Sequence, residues 1–287
     1  MRKIPDGLFR LNAPHRRLVT TFLVDEAACN AYLLGQIARG ALTSDAVAGP
    51  LLGYGVAGAL VGVACCGSNL VISAPCAPSA ITAFAEFART GSYLVRVAIG
   101  EDAIMDRFME AYGRDPASII LERSDQRLFA VTTQTLRAPP KRLALRPAEL
   151  TELTEVMDAD RRMIQEELGF DPFAKQQRLY REGWIRRIRE ARAWIVRESD
   201  DPVLFKVDQS AVSAHVVQLS GVYTAPDARS QGVASDALAQ MCHRLFEEVP
   251  LVALYVHAEN QAAVRLYLGL GFDELGRVRS IWFDTSV

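Results

Sequence analysis

The sequence predicts an α/β protein built from two successive units of comparable length, and three observations lead there. The chain has 287 residues, more than one ordinary core uses and comfortable for two. Runs rich in β-branched residues alternate with runs of helical periodicity along the whole length. Near the middle, "QTLRAPPKR" (134–142) places Pro139 and Pro140 beside three basic residues, and neither helix nor strand runs easily through two prolines. The predicted units are therefore 1–137 and 138–287.

The elements follow in order. "RLVTTFL" reads as a strand from its β-branched residues, and "DEAACNAYLLGQIARG" as a helix opened by acids and closed by glycine. From Asp45 to Glu86 no charged residue intervenes, and "GPLLGYGVAGALVGVACCG" is long enough for a membrane span, with Gly58 and Gly62 spaced as GxxxG. A buried β-hairpin is the better expectation. The segment holds six glycines, lacks flanking basic and aromatic anchors, and is broken by the polar "GSN" at 67–69. A helix follows in "PSAITAFAEFARTG", with proline in its first turn and glycine past its end. Next come a strand "YLVRVAIG", a helix "DAIMDRFMEAYG", and two strands, "SIILERS" and "RLFAVTT". The second unit repeats the rhythm. A strand "RLALRPA" precedes two helices, "ELTELTEVMDADRRMIQEEL" and "FAKQQRLYREGWIRRIRE". Strands "AWIVRE", "PVLFKV" and "HVVQLSGVYTAP" lead to a helix "QGVASDALAQMCHRLFEEV", whose buried face is Val233, Ala237, Met241 and Leu245. A strand "LVALYVHA", a helix "NQAAVRLYLGLG" and a strand "RSIWFDT" close the chain.

Composition narrows the function. Half the residues are hydrophobic, 23% are charged and the net charge is −2, a globular profile without the basic field that nucleic-acid binding needs. The five cysteines lack CxxC or Cys/His metal spacing, and the N-terminus lacks the apolar core of a signal peptide. These features predict a cytoplasmic protein with free thiols, no metal, and neither membrane nor nucleic acid as partner.

Two glycine runs compete as phosphate sites. "GYGVAG" (53–58) matches GxGxxG but fails its context: Pro50 stands upstream, a β-branched run follows instead of a helix, and no acid appears about twenty residues on. "RSQGVA" (229–234) passes. It follows a strand and a Pro226–Asp227 turn, and opens an amphipathic helix with little side chain over its first amides. From these six residues alone it is either a plain helix start or an anion site. The absence of Lys-Ser/Thr after the glycine excludes a P-loop. Downstream, Asn260 suits a helix start, and Tyr267 lies two turns along the same face.

Together these motifs resemble the GNAT acyltransferase superfamily. The pyrophosphate loop [Gln/Arg]-x-x-Gly-x-[Gly/Ala] is met by Arg229, Ser230, Gln231, Gly232, Val233 and Ala234, and the downstream signature by Asn260, Ala263, Tyr267, Gly271 and Phe272. Over the whole chain, "EELGFDP", "VLFKVD", "QLSGVYTAPDARSQG" and "LYVHAEN" resemble a bacterial group of two-domain GNAT proteins whose N-terminal half is itself GNAT-like. The resemblance implies two tandem GNAT-like domains, each a mixed, largely antiparallel sheet flanked by helices. It implies acetyl-CoA or another acyl-CoA as co-substrate, held in a V-shaped gap between "VQLSGVYT" and "VALYVH".

The residue roles come from the same resemblance. The amides of Gln231 to Ala234 and the Arg229 guanidinium would meet the pyrophosphate. The backbone of Val222, Tyr223 and Thr224 would run beside the pantetheine, with an amide near Val222 or Tyr223 polarising the thioester carbonyl. Asn260 would hold the pantetheine arm, and Tyr267 would protonate the leaving thiolate. The strand glutamate that many relatives use as a base falls here at about Gln218 or Ser220, so the base is left open. A water relay, His257, Glu166, Glu167 and Glu259 are the candidates. Of two further features, the six arginines of "KQQRLYREGWIRRIREAR" are either a solvated face or contacts for an acidic substrate or the CoA 3′-phosphate. Trp184 and Trp194 are either core or pocket wall. The first half has no counterpart of the loop, and Pro75 and Pro78 remove amides there, so it is expected not to bind cofactor. The expected activity is N-acyl transfer to a small-molecule or peptide amine by direct attack, in a monomer or homodimer. The rival is an acyl-CoA-binding sensor without turnover.

Overall fold

A computed structural model describes residues 4–44, 49–91, 93–137, 143–171, 173–174, 176–197 and 202–284. The N-terminal half runs β1 (Gly7–Arg10), α1 (Arg16–Val24), α2 (Ala31–Ala38), β2 (Leu51–Val56), β3 (Ala59–Cys66), β4 (Asn69–Ile72), α3 (Pro78–Thr90), β5 (Val97–Glu101), α4 (Asp102–Tyr112) and β6 (Ile119–Val131). The C-terminal half runs β7 (Arg146–Pro147), α5 (Leu153–Leu168), α6 (Gln177–Arg189), β8 (Ala193–Val196), β9 (Phe205–Val212), β10 (Val217–Thr224), α7 (Val233–Leu245), β11 (Val252–His257), α8 (Gln261–Gly269) and β12 (Asp273–Phe283). The two successions are the same, element for element, so the chain is a structural repeat with little shared sequence.

In space the halves are not separate. Among the described residues the strands form one 12-stranded sheet in the order β1-β2-β3-β4-β5-β12-β6-β11-β10-β9-β8-β7. The last strand of each half crosses over: β12 pairs antiparallel with β5, and β6 with β11, while β6 and β12 pair with each other. Strands of 13 and 11 residues are long enough to reach a partner in both halves. All pairings are antiparallel except β4–β5 and β10–β11, the corresponding pair in each half. The predicted boundary falls partly on 138–142, outside the described residues, while the sheet continues across both halves.

Four elements differ from the sequence reading. "RLVTTFL" belongs to helix α1: Val19 and Leu23, four residues apart, are fully buried, so helical periodicity prevails over β-branching. The apolar stretch is a three-stranded meander, with one turn at Ala57–Gly58, both at positive φ, and a second at Gly67–Ser68. "SIILERS" and "RLFAVTT" are one strand, β6, because β12 pairs along both. The strand expected in "RLALRPA" is reduced to Arg146–Pro147. No helix among the described residues is long and apolar enough to cross a membrane.

Helices cover both faces of the C-terminal half. On one, α7 buries Val233, Ala237, Met241 and Leu245, as its periodicity predicts, and α8 adds Val264 and Tyr267. On the other, α5 and α6 bury Trp184 and Tyr180 against β8, while α2 of the N-terminal half packs on β9, where Gly35 lies so close to Ala211 that a Cβ would meet it at 2.9 Å.

Candidate active site

The parallel pair β10–β11 is in register only at Val217–Val252 and Gln218–Ala253. Beyond these two rungs, Leu219–Thr224 pair only with β9 on their far side and Leu254–His257 only with β6 on theirs. The facing edges are left open, which is the splay expected between "VQLSGVYT" and "VALYVH". Within β10 the register with β9 slips between Ser220 and Tyr223, so Gly221 and Val222 together oppose Val207. Gly221 has φ +60, and a Cβ there would come within 2.3 Å of Asp208 Oδ2. The bulge depends on glycine for both reasons, and it removes the amides of two residues from the ladder beside the gap.

β10 leads through a short 3-10 turn, Pro226–Ala228, into α7. Ser230 (φ +60) and Gly232 (φ +81) both adopt left-handed backbone, and nothing stands within 4 Å of a Cβ built on Gly232. Among the described residues the amides of Gln231 to Ala234 have no backbone acceptor; the first helical bond is Asp236 N–H to the Gly232 carbonyl. Open amides over an empty approach, at the positive end of a 13-residue helix, make an anion cradle. Arg229 beside it is not free. Its Nε donates to the Thr224 carbonyl at 3.1 Å, and its Nη2 donates to both oxygens of Glu166 at 3.0 and 2.8 Å. Two predicted site residues, assigned separate tasks by the sequence, therefore pair with each other.

Asn260 is the N-cap of α8: its Oδ1 accepts the Ala263 amide at 3.1 Å. This fixes the helix that carries Tyr267, whose ring lies between Phe129 and Phe272. Burial and the charge of Glu167 hold the Tyr267 phenol in its protonated form far above its ordinary range, and its hydroxyl makes no hydrogen bond among the described residues. Tyr267 comes from the α7/α8 side of the sheet and Glu167 from the end of α5.

The register shows which side chains share one face beside the splay. Gln218 stands beside Ala253, Tyr255 beside Leu128, and His257 beside Gln126. Gln218 lies within hydrogen-bonding reach of the Tyr255 hydroxyl. The Glu167 carboxyl is raised above its ordinary value, mainly by desolvation from the groups packed around it, although the residue as a whole is exposed on the surface of α5. His257 is half-buried and accepts the Glu259 amide on Nδ1 at 3.4 Å. Of the four candidate side-chain bases, Glu166 is held by Arg229, His257 and Glu259 are engaged with each other, and Glu167 makes no ion pair or hydrogen bond among the described residues.

Beneath the bulge lies a charged network that sequence reasoning missed. Lys206 is 0% exposed; its Nζ donates to Asp208 Oδ2 at 2.6 Å and pairs with Asp160 Oδ1 at 3.1 Å, above the Trp184 ring. Tyr180 donates its hydroxyl to Asp160 Oδ2 at 2.7 Å. Desolvation raises the Asp208 carboxyl, and the flanking carboxylates keep Lys206 charged. Asp208 Oδ1 and the Tyr223 hydroxyl are buried without partners. Alternation along "FKVDQ" marks Lys206 and Asp208 as one face of β9, the only signal available beforehand. Trp184 and Trp194 are both core, at 1% and 5% exposure. The five cysteines are free, and burial pushes the Cys242 thiol in α7 up to about 12, far from nucleophilic use.

The corresponding place in the N-terminal half is closed. Beyond β4, Asn30 donates its Nδ2 to the Ala74 carbonyl at 2.7 Å and accepts the Ala74 amide on Oδ1 at 3.0 Å. At the start of α3, the Ala77 amide bonds the Val61 carbonyl, Pro78 has no N–H, and the Ala80 and Ile81 amides bond the Ala77 carbonyl.

Residues 159–272, which contain the splay, the amide cradle and Tyr267, match the acetyltransferase (GNAT) family. Over these residues the chain is similar to that family. The whole chain shares its fold with solved GNAT structures. A GCN5-related N-acetyltransferase from Sphaerobacter thermophilus is 16% identical with a TM-score of 0.58, covering 97% of this chain and 96% of its own. An acetyltransferase of the GNAT family from Colwellia psychrerythraea is 13% identical with a TM-score of 0.54, covering 96% and 99%. A tandem GNAT protein from the clavulanic acid biosynthesis pathway is 13% identical with a TM-score of 0.53, covering 98% and 99%. At such identities the likeness is one of fold, and it extends over both halves of the chain. No curated protein matches it significantly. Among the described residues no group of three or more His, Cys, Asp or Glu side chains could hold a metal ion.

Proposed function

We propose that the chain is an acetyl-CoA-dependent N-acetyltransferase with one active site, in its C-terminal half. The observation that carries this reading is the splay of β10 from β11, with an amide cradle at one end and Tyr267 on the helix packed behind it. Acetyl-CoA supplies an acetyl group already activated as a thioester. The amides of Gln231 to Ala234 bind its pyrophosphate, and Arg229 adds charge once it turns from Glu166. The open edge of Val222–Thr224 hydrogen-bonds the pantetheine amides, and an amide freed by the bulge faces the carbonyl on which negative charge develops. Asn260, with Oδ1 committed to the cap, has its Nδ2 left for the pantetheine arm. Glu167, its carboxyl raised by desolvation, accepts the proton of the attacking amine, and Tyr267 gives its proton to the departing sulfur. The closure of the N-terminal gap by Asn30 supports the assignment of a single site. The five free thiols fit a cytoplasmic setting.

The test is a thermal-shift titration with acetyl-CoA combined with a thiol-release assay on an amine panel, for wild type and Tyr267→Phe. Acetyl-CoA raises the melting temperature of both, and the variant loses roughly 10²-fold in rate with affinity retained. No shift in the wild type refutes the reading. A shift in both with no turnover on any amine leaves an acyl-CoA sensor.

A further inference from the structure

The β10 bulge sits between two charges of β9. Ser220 stands opposite Asp208 and Tyr223 opposite Lys206, so the extra residue of β10, at Gly221–Val222, falls in the interval that these two side chains span. Lys206 and Asp208, two residues apart, share one face of β9, and there they bond each other, Nζ to Oδ2 at 2.6 Å. Gly221 is seated on that bond: a Cβ built on it would lie 2.3 Å from Asp208 Oδ2 and 2.6 Å from Lys206 Nζ. Asp160 of α5 holds the ammonium at 3.1 Å, and the Tyr180 hydroxyl of α6 holds Asp160 at 2.7 Å. Among the described residues no other lysine or arginine is buried. The N-terminal half has the same strands without these features. There β3 and β4, the counterparts of β9 and β10, pair without a register shift, β3 ("ALVGVACC") carries no charge, and the gap beyond β4 is closed. Charge pair, bulge and open gap occur together in one half and are absent together from the other.

A buried ion pair stabilises a fold no better than well-packed apolar side chains of similar volume, so stability alone does not account for a lysine in this apolar layer. What the pair adds is a fixed, directional bond across the bulge. Resting on the N-acetyltransferase reading, we propose that Lys206 and Asp208 are positioning residues for the reaction. Their bond sets the backbone at Gly221–Val222, and with it the direction of the amide that faces the thioester carbonyl in the splay. Neither side chain touches the substrate; both act through the peptide of the bulge. A misplacement on the order of 1 Å at such a donor costs roughly 10²-fold in rate, which is why the bulge is held by a bond and not by packing alone.

The purified full chain is compared with Asp208→Ala, Asp208→Asn and the double variant Lys206→Met/Asp208→Asn, each well below its own melting temperature. Two readouts are taken: kcat and KM on the best amine of the panel, and the infrared carbonyl band of bound carbonyl-labelled acetyl-CoA, which needs no acceptor. Asp208→Ala breaks the bond across the bulge while Lys206 keeps Asp160, so the chain stays folded. Its kcat falls roughly 10²-fold with acetyl-CoA affinity retained, and its carbonyl band lies at higher frequency than in the wild type, because a well-aimed amide weakens the C=O bond. Asp208→Asn leaves an amide oxygen for the ammonium and recovers most of both. The double variant is more stable than Lys206→Met alone, with one uncompensated carboxylate fewer, yet has no bond across the bulge, so its kcat and band stay with those of Asp208→Ala. A merely structural role predicts instead that activity follows the melting temperature. The proposal is overturned if Asp208→Ala and Asp208→Asn match in kcat and band position, if Asp208→Ala loses acetyl-CoA affinity and not kcat, or if the double variant performs as the wild type. If Asp208→Ala does not fold, the double variant against Asp208→Asn decides the question. Failure of acetyl-CoA to raise the wild-type melting temperature removes the parent reading instead.

Discussion

Lys206→Met is the sharpest test of the network beneath the β10 bulge. The ammonium is wholly buried between Asp208 Oδ2 at 2.6 Å and Asp160 Oδ1 at 3.1 Å. Methionine fills nearly the same volume, so packing over Trp184 survives and the loss is electrostatic. Two carboxylates then share a dry site with only the Tyr180 hydroxyl as donor. Removing one partner of a buried ion pair costs about 3–5 kcal/mol, and at 2–4 °C per kcal/mol for a chain of this size the melting temperature falls on the order of 10 °C. Asp208→Asn must cost less, because Lys206 keeps Asp160 and that remaining pair is neutral. In the Lys206→Met background, Asp208→Asn must restore part of the loss, since one uncompensated carboxylate goes with it. The pH dependence has a fixed sign. Burial already raises the Asp208 carboxyl and Lys206 opposes that rise, so without the lysine the folded-state value climbs further. A raised acid stabilises below its unfolded value and loses that stability as pH rises through the folded one. The deficit of Lys206→Met therefore grows from acidic toward neutral pH. Urea melts at pH 5 and 7.5 measure it. A loss below about 1 kcal/mol, or one no larger than that of Asp208→Asn, refutes the account of Lys206 as the charge that holds the network.

Three further predictions follow from local geometry. Gly221→Ala combines φ +60 with a Cβ 2.3 Å from Asp208 Oδ2, whereas Gly232→Ala at φ +81 meets open space; chemical denaturation should cost the first about 3 kcal/mol or more and the second about 1 kcal/mol. Asn260→Ala removes the cap of α8 and should cost about 1 kcal/mol, read by faster amide hydrogen exchange in the helix that carries Tyr267. Glu152, bridged by Arg146 at 2.7 Å and Arg197 at 3.4 Å, has its carboxyl lowered to about 2, chiefly by Arg146. Its contribution, roughly 1 kcal/mol after solvent screening, is present above the unfolded value and lost as pH falls toward 2, so thermal melts of Glu152→Gln and wild type should differ at pH 7 and converge near pH 2.

Elements with a strong local signal were legible in advance. The buried stripe of α7, the glycine-capped helices and the strand-to-helix junction at 229–234 follow from periodicity and from residues that only certain backbone conformations accept. Where local signals conflicted, packing decided. The β-branched α1 became a helix because its apolar residues bury at positions four apart, and two predicted strands merged into β6 because one partner runs along both. The site divides in the same way. The cradle, Asn260 and Tyr267 are contiguous motifs, and contiguity is what a sequence displays. The pairing of Glu166 with Arg229 and the Lys206 network join residues from distant segments, so no local pattern announces them. By itself the sequence determined two units of the same rhythm and an anion-binding helix start in the second. That the last strands trade places is settled only in three dimensions, because strand pairing is set by which edges meet in space.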